Sequence, residues 1–197
     1  MGNLIIKGKG GAGNKLILQD QAGGAVLTTA DSGASIANAT LVTPTIASMA
    51  NCTFPAGHIL QVVNGTAQSE AYTQSTTFAT MSLTAAITPI ATSSKIFIIC
   101  NTSGYNDSGN TQVSYYTIYR NSTDLGASNN NGFADIHQGS GGGHDVGTNI
   151  CISTLDSPST TSAITYGMYA RVNNASYKTY WSMNGSKSDI TVMEVAG

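Results

Sequence analysis

The chain has 197 residues, enough for one domain with a real core or for a small domain plus an appendage. Only 9% of them are charged, against about 25% in a typical soluble domain, and the net charge is −2, so clustered Lys and Arg for nucleic acid or acidic lipid are excluded. Polarity comes instead from Ser, Thr, Asn, Gln and Gly, which compete for backbone hydrogen bonds or leave the backbone too free to favour helices, and the composition predicts an all-β protein.

The first patterned stretch is GKGGAGNK, in which Gly8, Gly10 and Gly13 match the G-x-G-x-x-G spacing of dinucleotide cradles and Lys15 stands near. That motif works only between a buried strand and the N-terminus of a helix. Here Leu16-Ile17-Leu18 follows, a second short apolar run, with no helical period and no acidic residue closing a βαβ unit. The stretch therefore reads as a glycine-rich turn between two short strands, LIIKG and KLILQD. LII is also far shorter than the apolar core of a signal peptide, and no run approaches the ~18 residues of a membrane span, so neither secretion nor membrane insertion is expected.

Residues 1–53 form a thin, low-charge segment of short apolar pieces such as Ala25-Val26-Leu27 and Leu41-Val42, spaced by Gly, Ser, Asn and Thr. Such a segment cannot build its own core. It is either disordered or ordered by winding against copies of itself, and the recurring small apolar residues favour an intertwined stem.

The character changes at Phe54-Pro55-Ala56-Gly57, so 54–197 is read as the globular domain. His58–Val63 predicts a strand, and Tyr72–Ile87 two more, broken near Met81-Ser82. Lys95–Cys100 (KIFIIC) is apolar on both faces, as in a central strand covered on two sides. Thr111–Arg120 alternates and ends in a turn at Asn121-Ser122. Residues 126–149 read as one long Gly/Asn-rich loop, the kind of connection that carries binding surfaces on a rigid scaffold. Asn149–Leu155 is a strand; Ser162–Val172 places Ile164, Tyr166, Met168, Ala170 and Val172 on one face. Ser188–Ala196 puts Ile190 and Val192 on one face and Met193 and Val195 on the other. About eight strands at regular spacing predict an antiparallel β-sandwich, most simply a jelly roll.

The three cysteines, Cys52, Cys100 and Cys151, have no C-x-x-C spacing and make neither a disulfide framework nor a zinc site; Cys100 and Cys151 read as buried thiols. The carboxylates of the globular part (Glu70, Asp107, Asp124, Asp135, Asp145, Asp156, Asp189, Glu194) form no paired signature for glycoside hydrolysis, and no enzyme is expected. Asp135, His137, His144 and Asp145 share the long loop and read as solvated loop groups rather than metal ligands, so no metal or cofactor is expected. Aromatics are the better lead. Tyrosines serve in cross-strand pairs, and the same side chains stack on sugar rings while Asn, Asp and Gln bind hydroxyls. Tyr105, in the turn Ser103–Asp107, and Trp181, in Tyr180-Trp181-Ser182, stand out. The candidate receptor-binding set is Tyr105, Asp107, His137, His144, Asp145 and Trp181.

Three phrases carry a resemblance. NKLILQDQAGGAVLTTADSGASIANATLVTPTI resembles the repetitive stems of bacteriophage structural proteins, particularly marine phage fibres. FPAGHILQVVN resembles the junction that begins their globular region. ITPIATSSKIFIICN, followed by a strand ending in YRNSTDLG, resembles the start of a receptor-binding head. The resemblance implies a homotrimer located in the virion and assembled in the host cytoplasm, attached to another virion protein through residues 1–53. The head would contact a host-surface glycan or protein. The short stem leaves open a tail fibre, a head fibre or a purely structural capsid-decorating or tail-connecting protein. Low charge suits close-packed copies, which it spares mutual repulsion.

Overall fold

The computed structural model describes residues 17–19, 25–30, 33–35, 54–67, 69–107, 111–139 and 145–197. The chain divides into two compact units, Met1–Cys52 and Thr53–Gly197. In the first, β1 (Ile17–Gln19), β2 (Ala25–Ala30) and β3 (Gly33–Ser35) pair antiparallel in the order β1-β2-β3, within one chain. The expected strand LIIKG, the glycine turn at 8–13, Leu41-Val42 and Cys52 lie outside the described residues.

The second unit begins with β4 (Ile59–Ala67), β5 (Ala71–Thr73), β6 (Ala79–Ile87), β7 (Lys95–Asn106), β8 (Val113–Arg120) and β9 (Thr123–Asp124). It continues with β10 (Ala134–His137), β11 (Val146–Asp156), β12 (Ile164–Val172), β13 (Thr179–Trp181), a 3-10 turn at Met183–Gly185, and β14 (Ser188–Val195). One sheet runs β4-β14-β7-β13-β5 with β11 on the other edge of β7; the second runs β10-β8-β12-β6 with β9 on β8. All the pairings are antiparallel. Eight principal strands (β4, β6, β7, β8, β10, β11, β12, β14), taken first to eighth in chain order, lie 1-8-3-6 and 2-7-4-5 in the two sheets. That is the strand order of a jelly roll, the expected sandwich.

Alternation builds the core. Ile96, Ile98 and Cys100 of β7, Ile164, Tyr166, Met168, Ala170 and Val172 of β12, and Ile190 and Val192 of β14 all turn inward and are 5% exposed or less. Each such large apolar side chain contributes about 1.5–3 kcal/mol through burial. Where β4 of one sheet meets β6 of the other, Gly65 lets the two backbones touch: a Cβ there would lie 2.9 Å from the Thr84 carbonyl carbon and 3.1 Å from Ile190 Cγ2.

Four expectations are corrected. The break at Met81-Ser82 is a bulge inside the single strand β6: Ser82 has φ 57°, and the β12 register slips from Leu83 to Thr80 across it. The true gap in Tyr72–Ile87 separates β5 from β6. The 126–149 loop is not continuous loop, because Ala134–His137 pairs with β8. Strand β7 is not covered on both faces: outward Phe97 and Ile99 are only half-buried. Phe97 sits in one cross-strand rung with Val62, Met193 and Leu155, of which Val62 is 57% and Leu155 54% exposed. The same parity exposes Cys151, expected to be buried, while Cys100 is buried and its thiol is pushed up to about 12, mainly by desolvation.

One ion pair clips the two sheets together. Arg120 Nη1 donates to both Asp156 oxygens at 2.8 Å, and Tyr166 Oη donates to Asp156 Oδ2 at 2.6 Å. Burial, then the bond to Asp156, pushes the Tyr166 phenol up. Asp156→Ala would leave a half-buried guanidinium and a buried hydroxyl without their partner. We expect a loss of about 1–2 kcal/mol in urea unfolding, less than for a fully buried pair because Arg120 keeps contact with water.

Candidate functional site

The site grows from three strands that are far apart in sequence. In Thr179-Tyr180-Trp181, alternation sends Tyr180 to the outer face and its neighbours inward. Tyr180 stands opposite Tyr72 of β5 on one side and Tyr105 of β7 on the other. The ring centroids of Tyr72 and Tyr180 are 5.3 Å apart, and those of Tyr180 and Tyr105 are 5.9 Å apart. The three tyrosines form an aromatic row across the outer face, and Lys178 Nζ lies 4.9 Å from the Tyr72 centroid.

Two carboxylates fix the row. Tyr105 Oη donates to Asp145, and Tyr180 Oη donates to Asp107 Oδ2 at 3.1 Å. The bond to Asp145, helped by desolvation and by the nearby Asp107 charge, pushes the Tyr105 phenol up to about 12. The Tyr180 phenol is also raised, by desolvation first and then by its bond to Asp107. Both phenols therefore remain neutral donors over the physiological range. Asp145→Asn is expected to bring Tyr105 back toward the ordinary value of 10, seen as one tyrosine ionising earlier in an ultraviolet absorbance titration; an unchanged titration would contradict the assigned cause.

Beyond Tyr105, β11 presents Gly147 at the opposing register position. A Cβ there would lie 3.5 Å from Tyr105 Cδ2, so β11 places no side chain of its own against that flank of the ring. The opening is a depression of about 420 Å³ lined by Ser103, Tyr105, Gly147, Asn149, Met183 and Asn184 among others. Its walls are hydroxyls, amides and a thioether, and Glu70 Oε2 accepts the Asn184 N–H at 3.0 Å on its rim.

Of the expected contact residues, the structure brings together Tyr105, Asp107 and Asp145. Trp181 does not join them: it is 5% exposed, turned into the core opposite Gly104, because it has the opposite strand parity to Tyr180. His137 lies on β10 of the other sheet, where Nε2 pairs with Asp135 Oδ2 at 2.9 Å. His144 lies outside the described residues. Among the described residues no group of three His, Cys, Asp or Glu is placed to hold a metal. Tyr72, Tyr180 and Lys178 were missed as contact residues. The parity of TYW could have singled out Tyr180 once β13 was known to be a strand.

The other sheet carries aromatics too, but they are spent on one another. Arg171 lies 3.8 Å over Tyr115 and donates to the Asn130 carbonyl at 2.9 and 2.6 Å, while Tyr119 stacks on Tyr169 at 4.1 Å. This is the ordinary cross-strand use of tyrosine.

No protein-family model and no curated protein matches the chain. Among solved structures it is similar to a chain in the structure of infectious bursal disease virus, Gt strain, with a TM-score of 0.35 and 12% identity. The match covers 87% of this chain and 48% of the other, so this chain spans about half the length of the one it matches. A similarity of that degree implies neither family nor function.

Proposed function

We propose that this chain is a structural protein of the virion, a short phage fibre whose C-terminal sandwich attaches the particle to a receptor on the host surface, in our reading a glycan. The N-terminal segment, residues 1–53, anchors it to another virion protein, and the fibre is a homotrimer; it needs no catalytic group or cofactor. The observation that carries the reading is the outward row Tyr72–Tyr180–Tyr105, held by Asp107 and Asp145 beside an uncharged groove. The Tyr105 and Tyr180 hydroxyls are already anchored and Tyr72 is 52% exposed, so the row turns to water an aromatic surface that a bound partner would cover. The stem and head phrases of the sequence supply the virion context.

A specific observation favours a second reading, a capsid-decorating or tail-connecting component without receptor binding. The apolar rung of Val62, Met193, Phe97 and Leu155 is the kind of surface that assembly covers. Two measurements separate the readings. Labelled full-length protein should adsorb saturably to susceptible bacterial cells and be displaced by unlabelled protein; absence of adsorption to any susceptible surface favours the structural component. Light scattering should give about three times the 20.2 kDa chain mass; a monomer would remove the fibre.

A further inference from the structure

The attachment reading leaves the kind of receptor open, and the charges around the tyrosine row bear on it. Asp107 and Asp145 bind the row's phenols, and Glu70 sits on the rim of the adjoining depression. Against these three carboxylates stand Lys178, whose ammonium already lies over Tyr72, and Lys187, which lines the neighbouring depression that shares Ser103 and Asn149 with the groove. An acidic sugar laid along the row would meet repulsion from each carboxylate, and at a few ångströms from a protein surface such charges count even in salt. A neutral sugar meets none. Its C–H faces suit the exposed ring surfaces, which stand at centroid spacings of 5.3 and 5.9 Å and tilt by 45° and 70° to their neighbours, so that the row is a stepped aromatic wall. Its hydroxyls find donors and acceptors in Ser103, Asn149 and Asn184 and in the carboxylate oxygens the tyrosines leave free. At Gly147 β11 puts no side chain of its own between row and depression, so a ligand longer than one ring can pass from the aromatic wall into the polar groove.

We infer that the row and its groove form an extended site for a neutral oligosaccharide, and that Asp107 and Asp145 select it against acidic glycans. This rests on the attachment reading above. The aromatic row supplies affinity and the carboxylates supply discrimination.

Saturation-transfer NMR of the full-length protein against a panel of neutral hexose and N-acetylhexosamine oligosaccharides, with an oligouronate series of matched length, tests it. Neutral trimers should bind more tightly than monomers, and oligouronates at least about tenfold more weakly. Tyr180→Ala should weaken the neutral ligands about tenfold. The pair Asp107→Asn and Asp145→Asn should narrow the gap between neutral and acidic ligands. Circular dichroism checks that each variant keeps its sheet content. Oligouronates binding as well as neutral chains, or a folded Tyr180→Ala protein binding as before, would overturn the inference. If the protein adsorbs to cells yet binds no neutral oligosaccharide at millimolar concentration, this inference falls while the attachment reading stands. If it neither adsorbs nor binds, both fall.

Discussion

Gly65→Ala is expected to destabilise the sandwich by about 3 kcal/mol or more, lowering Tm by roughly 6–12 °C for a unit of this size. The cause is local. Gly65 turns inward from β4 onto the backbone of β6, and the added methyl would overlap the Thr84 carbonyl group and crowd Ile190 Cγ2 at 3.1 Å. Neither obstacle can rotate away, since one is backbone and the other is a fully buried isoleucine. The sheets must part at that edge, and the core contacts on either side go with them. Gly147→Ala is the control. Its Cβ would meet Tyr105 at an ordinary 3.5 Å, and its stability should stay within about 0.5 kcal/mol of the parent. Thermal melts of the two variants side by side would show whether close approach or mere loss of glycine matters. Equal melts would contradict this account of the β4–β6 edge.

The second large effect is tied to pH. Glu194 on β14 is fully buried. Its Oε2 accepts from Gln61 Nε2 of β4 at 2.5 Å, and its Oε1 accepts the Ile90 N–H at 2.7 Å. One carboxylate thus ties β14, β4 and the β6–β7 connection. Burial alone would push its pKa up, but the hydrogen bonds, led by that from Gln61, outweigh it and hold the carboxyl below its ordinary 4.5. A depressed native value means stability that is fully present above the unfolded value, and lost as pH falls through the lower native value. Glu194→Gln should therefore cost roughly 2–3 kcal/mol near neutrality, because the amide turns a donor toward donors. The deficit should shrink as pH falls below the ordinary 4.5 and through the lower native value, where the parent loses its own advantage. Urea unfolding of parent and variant across that range reads it directly. A deficit that stays constant with pH would show that the carboxylate charge plays no part.

Much of the architecture was legible because strand parity is written in short range. Ile164, Tyr166, Met168, Ala170 and Val172 alternate with polar or small residues, and all five face the core. The turn at Asn121-Ser122 was readable from its residue types, and Asn121 takes a positive φ there, 51°, which asparagine tolerates. The errors are physical as well. A bulge keeps pairing through a left-handed Ser82, which local sequence cannot tell from a chain break. Strand β10 is hidden because Ala134–His137 is paired by β8 and not by its own propensity. KIFIIC is apolar on both faces whether or not something covers the second face.

The site was half legible for a related reason. Tyr105, Asp107 and Asp145 lie in polar stretches that read as turns and draw notice, although the expected turn Ser103–Asp107 is the end of strand β7, which holds Tyr105. Tyr72 and Tyr180 gain meaning only when β5, β13 and β7 come into register, and no local signal reports that. Trp181 stands out in Tyr180-Trp181-Ser182, yet one step of strand parity sends it inward and Tyr180 outward.

The most direct test of attachment through the tyrosine row is hydroxyl-radical footprinting of the full-length protein, free and bound to susceptible cell envelopes. Tyrosine is a reactive probe on both sheets, so the molecule carries its own control. Attachment through the row should protect Tyr72, Tyr105 and Tyr180 on binding and leave Tyr115, Tyr119 and Tyr169 of the other sheet unchanged. Protection of the second set, or a bound protein whose three row tyrosines react as freely as before, would contradict it.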